Sequence, residues 1–263
     1  MALLIDTDPA LGLPLKDVDD ALAIWLLLRA ATLGEGPRIV ALCSVFGNGA
    51  LAQTDAVARD LGQRWHLPVH RGAAAPGDIE TPAVEALIKH QGDVLAIGPQ
   101  TNVAAALAGG ARWPRLVVLG GTDRKMPNVR PIHTTELNFA LDEAAAAASV
   151  ACCTTLVPME VCRKLLFRAA DFEVLPRWMD ECCRAWLRLG PLLTGHRAVI
   201  PWDVVAAMYL VRPELFRVER RSVRLAPSFG KAGYVGYGAG QTEVVVDVDV
   251  AGFHAAWRRI AGS

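Results

Sequence analysis

The sequence predicts an α/β fold in which a mostly parallel central sheet is flanked by helices, read as one domain over residues 1–263. Three observations carry that prediction. Short apolar runs rich in β-branched residues alternate with longer alanine- and leucine-rich stretches, the pattern of buried parallel strands joined by crossover helices. A chain of 263 residues with 52% hydrophobic content can bury a full core without dividing into units. Polar and glycine residues repeatedly follow the apolar runs, where open sheets of this class collect their ligands.

The elements follow in order. Leu3 to Ile5 is the first strand, and the aspartates opening Asp20 to Ala31 suit a helix start, where carboxylates complement the dipole. Ile39 to Phe46 is the second strand and leads through Gly47-Asn48 into a helix over Leu51 to Leu61. Strands Val94 to Ile97 and Leu116 to Leu119 bracket a helix over Thr101 to Ala108. The alanine run Ala144 to Ala148 places a helix over Asp142 to Val150, alanine being the strongest helix former. Strand Thr154 to Val157 comes next, followed by helices over Asp171 to Leu189 and Val204 to Tyr209. A strand pair around Ser222 to Leu225 and Glu243 to Val248 precedes a closing helix, Val250 to Ile260. The result is a Rossmann-like arrangement. Gly233 to Gly240 precedes a strand and no helix, so it lacks the geometry of a phosphate cradle. A hairpin or flap is expected there, with Tyr234 and Tyr237 either lining a ligand pocket or lying in a surface turn.

Lysine plus arginine equals aspartate plus glutamate at 27 each, which leaves no long-range field for nucleic acid or an anionic membrane. A small neutral substrate suits this balance. Asp6 interrupts the first apolar residues before a signal peptide can develop, so a soluble, cytoplasmic protein is expected. Cys43, Cys152, Cys153, Cys162, Cys182 and Cys183 form no C-x-x-C pair, and buried free thiols in a reducing compartment are the expectation.

The densest chemical signal is Asp6-Thr7-Asp8-Pro9 leaving the first strand, followed by Asp19-Asp20-Ala21-Leu22 opening a helix. Clustered carboxylates are tolerable when a hard cation offsets their repulsion. The same residues could also cap a helix and fill a turn. A D-x-D after a first strand further serves magnesium-dependent phosphatases, with Asp6 as nucleophile and Asp8 as acid.

These motifs resemble the D-x-D-P-G-x-D-D-A-x-A signature of the inosine-uridine nucleoside hydrolase family. Phe46-Gly47-Asn48, Ile97-Gly98-Pro99-Gln100-Thr101-Asn102, Leu119-Gly120-Gly121, Glu136-Leu137-Asn138 with Asp142-Glu143-Ala144-Ala145, and Pro201-Trp202-Asp203 resemble later family blocks in the family's order. The resemblance covers most of the chain and argues against the phosphatase. It implies the nucleoside hydrolase fold and hydrolysis of ribonucleosides to base and ribose. It also implies calcium (Ca2+) held by Asp8, Asp20, Asp203 and the main-chain carbonyl of Thr101. Asp8 is implied as the catalytic base that activates a metal-bound water. Asp19, Asn48, Glu136 and Asn138 are implied as substrate-binding residues on the ribose hydroxyls, with Asp6 supporting the ligands from behind. A homodimer or homotetramer is implied as well.

Three departures stand out. Trp202 occupies the position before the last metal-binding aspartate, where many members carry histidine. Tryptophan cannot protonate a leaving base, so it either stacks on the base as a substrate-binding residue or packs as a core aromatic. His133 and His196 are the nearby alternatives for an acid. Residues 10 to 18 separate Pro9 from the aspartate pair, seven more than in the family motif, with Ala10 in place of the usual glycine and Asp17 added. The family's further asparagine has no secure match beyond Asn128. Trp202 and the longer loop also admit a non-catalytic metal- and ribose-binding homologue.

Overall fold

The computed structural model describes residues 1–123, 136–190, 197–226 and 233–263. Its strands are β1 (Ala2–Thr7), β2 (Arg38–Ser44), β3 (Val69–Arg71), β4 (Asp93–Ala96), β5 (Leu116–Leu119), β6 (Thr155–Val157), β7 (Phe216–Leu225) and β8 (Val235–Val248). They form one eight-stranded sheet in the order β3-β2-β1-β4-β5-β6-β8-β7. Every neighbouring pair is parallel except β7 with β8, which form an antiparallel hairpin. The expected fold class is the observed one.

Strand alternation divides the core. Leu3 and Ile5 of β1 join Leu42, Leu95, Val117 and Leu119 in the core on one face. Leu4 joins Ala41, Cys43, Val94, Ala96 and Val118 on the other, as a side-chain period of two requires. Helix α1 (Asp19–Thr32) covers the first face, buried at Leu22, Ile24, Leu26 and Leu27. It is fixed to the C-terminal helix Val250–Ala261 by the Trp25 indole N–H, which donates to the Ala261 carbonyl at 3.0 Å. The helix Trp202–Val211 lies on this same side, buried from Asp203 to Val211. Helices α3 (Pro82–Lys89), α4 (Thr101–Ala108) and α6 (Glu143–Cys152) contribute to the core of the opposite face. Helix α2 is Leu51–Trp65, and two four-residue helices, α5 (Leu137–Ala140) and α7 (Met159–Cys162), come before and after α6 in the chain.

Several boundaries differ from expectation. β3 has three residues and α3 eight, too short for the periodicity of either to stand out in the sequence. Thr81 caps α3 by accepting the Val84 N–H at 3.2 Å, and Pro82 sits in its first turn, where a missing N–H costs nothing. The single helix expected over Asp171 to Leu189 is two, α8 (Ala169–Phe172) and α9 (Arg177–Leu189). Pro176 separates them, because proline cannot donate the helical hydrogen bond. Gly236 and Gly238, from the glycine-rich segment, pair with Arg224 and Ser222 inside the β7–β8 hairpin. All six cysteines are free; four are buried, Cys182 is half-buried and Cys152 is exposed, so the expectation of burial fails at Cys152. No helix among the described residues is long and apolar enough to cross a membrane.

Candidate active site

The chain winds from β1 outward to β2 and β3, then returns to place β4 on the other side of β1. Such a switch point opens a crevice at the carboxyl ends of the strands. Asp6, next to last in β1, is fully buried. Its Oδ1 accepts the Asn102 amide at 2.8 Å, and among the described residues its Oδ2 has no hydrogen-bond partner. Asn102 also donates to the Ser44 carbonyl and accepts the Ala73 N–H, at 3.0 and 2.9 Å. Asp6 and Asn102 thus tie the ends of β1, β2 and the turn after β3 beneath the crevice. Burial pushes Asp6 up to about 7, against the lowering effect of Asn102.

Above this layer the carboxylates converge. Asp8 Oδ2 accepts the Asn48 N–H at 2.6 Å. The turns after β2 and β4 reach it only because they carry glycine: a Cβ at Gly47 would lie 2.1 Å from Asp8 Oδ2, and one at Gly98 would lie 3.0 Å from Oδ1. Asp20 Oδ1 accepts the Thr7 hydroxyl and the Asp8 N–H, and its Oδ2 accepts the Asn48 side-chain amide at 3.3 Å. Asp203, in the first turn of its helix, donates its N–H to Asp19 Oδ2 at 3.0 Å. One oxygen each from Asp19, Asp20 and Asp203 lies within 4.8 Å of the others. Burial raises Asp8, Asp19 and Asp203 well above the usual carboxylate range, and mutual repulsion raises them further. Asp20 reaches only about 6 because the Thr7 hydroxyl and the Asp8 amide stabilise its charge. Among the described residues, no ion pair involves these aspartates; the buried carboxylates that do have one, Asp55, Asp93 and Asp171, lie elsewhere. A hard cation is the partner this donor set lacks.

The profile of the inosine-uridine preferring nucleoside hydrolases matches residues 3–255. The chain belongs to that family. It is a hydrolase acting on the N-glycosyl bonds of nucleosides. Solved structures agree in fold. A plant nucleoside hydrolase, PpNRh1, superposes with a TM-score of 0.83 at 19% identity, covering 100% of this chain and 99% of its own. A purine-preferring ribonucleoside hydrolase from Gardnerella vaginalis gives 0.80 at 19%, covering 100% and 98%. An inosine-uridine preferring nucleoside hydrolase from Bacillus anthracis gives 0.76 at 18%, covering 99% of each chain. No curated protein matches the chain significantly by sequence.

In this nucleoside hydrolase a small cavity of about 60 Å³ is lined by Asp8, Asp19, Asn48, Glu136, Asn138, Trp202 and Asp203 together with Asp17, Ile97 and Met159. Glu136 caps α5 (Leu137–Ala140), its two oxygens accepting the Asn138 and Phe139 N–H groups at 2.7 Å each. Burial pushes it up to about 7. Asn138 donates to the Ile97 and Leu119 carbonyls at 3.0 and 3.4 Å. Trp202 is half-buried, packing on the core and lining the cavity at once, so the two alternatives for it are not exclusive.

Thr101 stands apart. Its hydroxyl donates to Asp142 Oδ2 at 2.6 Å, joining α4 to the cap of α6, and it does not line the cavity. Within its motif the cavity-lining residue is Ile97, which occupies the turn just past β4, whereas Thr101 already lies in the first turn of α4. Asp17 was legible only as an extra carboxylate in the longer loop; burial pushes it up to about 6. Tyr234 is buried and Tyr237 lies under Arg221, whose guanidinium is 5.0 Å from the ring centroid. Neither lines the cavity. Asn128, His133 and His196 fall outside the described residues. A larger cavity, about 920 Å³, lies across the 10–18 loop between α2 and α9. Its lining is mainly apolar and holds none of the converging aspartates, so the chemistry belongs to the smaller one.

Proposed function

We propose that this enzyme hydrolyses ribonucleosides to free base and ribose with a bound calcium ion, Asp8 acting as the base. The observation that carries the reading is the convergence, at the switch point, of buried aspartates that have no cationic partner among the described residues. Asp8, Asp20 and Asp203 would hold the ion. A main-chain oxygen would come from Ile97 rather than Thr101, because Ile97 lines the cavity. An all-oxygen set gathered from separate loops suits calcium, whose six to eight ligands tolerate irregular geometry, better than magnesium. When bound, the ion supplies charge neutralisation and makes a nearby water more acidic.

Asp19, Asn48, Glu136 and Asn138 surround the space left for a sugar diol. Asp8 takes the proton of the attacking water as its oxygen bonds to the anomeric carbon, and the glycosidic electron pair leaves with the base. The carboxylates of Asp19 and Glu136 stabilise the positive charge developing on the sugar. Trp202 supplies a flat face for the base and no proton. The family resemblance also supports a homodimer or homotetramer. Incubating the purified protein with purine and pyrimidine ribonucleosides releases free ribose from at least one. Binding across that panel without ribose would leave only a non-catalytic homologue.

Metal removal gives a second expected result, with a defined pH dependence. Asp6 and Glu136 are pushed up to about 7, and Asp17 and Asp20 to about 6, from ordinary values of 3.8 and 4.5. The folded, metal-free protein therefore holds more protons than the unfolded chain between those values, and its stability falls as pH rises through them. In chelator, the melting temperature is lower at about pH 8 than at about pH 5.5. Calcium raises it most at the higher pH, because binding requires the ionised carboxylates. A melting temperature indifferent to calcium at both values would remove the metal from the proposal.

A further inference from the structure

A separate cavity of about 600 Å³ is lined by Arg168, Ala169, Arg184, Leu187, Arg188 and Arg197. It shares no lining residue with the carboxylate cavity. Arg184 and Arg188 stand one turn apart on α9, Arg168 immediately precedes α8, and Arg197 enters on the segment that leads to Trp202. The backbones of Phe167 and Val199 hold the latter two segments together by exchanging hydrogen bonds of 2.7 and 2.9 Å. The arginines are thus gathered by three parts of the chain and not by one helix.

Their counter-charges are too few. Arg184 is held by Asp180 at 2.7 Å and lies 3.9 Å from Glu173. Among the described residues, no ion pair involves Arg168, Arg188 or Arg197, whereas Arg59, Arg115 and Arg259 elsewhere each have a carboxylate. The carboxylate near Arg168 in sequence, Asp171, is already engaged by the Arg168 backbone N–H, His254 and Arg258. Arg168, Arg188 and Arg197 are exposed, so water and salt screen their charge, and together with Arg184 they offer a multivalent anion several forks at one place. The chain as a whole is neutral, which makes the excess local.

We propose that this cavity is a second ligand site, taking a phosphate group, free or carried by a nucleotide, apart from the hydrolysis described above. Arginine forks match phosphate oxygens bidentately. The volume exceeds that of a bare phosphate and suits a small ligand, and Leu187 and Ala169 supply apolar surface for whatever the phosphate carries.

Isothermal titration of the purified protein with inorganic phosphate and with AMP tests the proposal. At least one of them binds saturably, once per chain, and more weakly as salt is raised. The double variant Arg188→Glu/Arg197→Glu, altering two exposed side chains, weakens that binding at least about tenfold with an unchanged circular dichroism spectrum. Arg224→Glu, exposed on β7, leaves it intact. Tighter binding of AMP marks a nucleotide ligand, and equal binding of phosphate marks the free anion. Absence of saturable binding by both overturns the proposal. So does AMP binding that survives the double variant and disappears in Asp8→Asn, since the nucleotide would then occupy the carboxylate cavity.

Discussion

Asp8→Asn lowers kcat for nucleoside hydrolysis by about 10²–10⁴-fold, the usual contribution of a positioned base, and weakens calcium binding. The substitution keeps the shape of the side chain and an oxygen able to accept the Asn48 N–H, now 2.6 Å from Asp8 Oδ2. It removes a charge that burial and the Asp20, Asp19 and Asp6 carboxylates all disfavour. The metal-free variant is therefore more stable than the metal-free parent while it is less active. These opposite signs separate a functional carboxylate from a structural one, because a structural Asp8 would lose stability and activity together. Steady-state kinetics, calcium titration and melting in chelator measure the three effects. Unchanged turnover would remove Asp8 from the mechanism.

Phe139→Ala costs about 3–5 kcal/mol of folding stability, as truncating a buried aromatic does. Phe139 is fully buried and follows Asn138 in α5. Its ring covers the turn after β5 so closely that a Cβ at Gly120 would lie 2.3 Å from it, and one at Gly121 would lie 2.9 Å away. Glycine is required at these positions both by this ring and by backbone φ values of +155° and +79°, and Val235 crowds Gly121 as well, 2.8 Å from a Cβ there. Because Glu136 Oε2 accepts the Phe139 N–H, loosening the ring also loosens the wall of the cavity that Glu136 and Asn138 form, and the expected result is a higher KM for nucleoside. A companion variant supplies an internal check: Gly120→Ala is destabilising alone and less so in the Phe139→Ala background, where the clash is gone and only the strain of its φ of +155° remains. Residues in contact are non-additive in this way. Urea midpoints for the two single variants and the double would show additive losses if the ring did not press on the turn.

The aspartates at the end of β1 were legible because their spacing is local: a buried strand stops at a carboxylate, and the helix that follows opens on two more. The long crossover helices were legible for the same reason. Pro176 was visible in the sequence as well, yet the periodicity running through it from Asp171 to Leu189 masked the break that the structure shows between α8 and α9. The Ile97 to Asn102 motif divided. Its identity could be read, but which member lines the cavity depends on where β4 ends and α4 begins, and that member is Ile97. Asn102, read only as part of that motif, proves to bind Asp6 at 2.8 Å across 96 residues.

By itself, then, the sequence determined most of the longer elements, the order of the strand-end carboxylates and the family they resemble. These are properties of neighbouring residues, set by side-chain period and by polar groups where an apolar run ends. Only the tertiary structure decided the rest. It placed the Asp203 N–H 3.0 Å from Asp19 across 184 residues, and it gathered Arg168, Arg188 and Arg197 around one cavity. The reason is that distances of this kind are fixed by how helices pack on the two faces of the sheet, and packing is a property of the whole core.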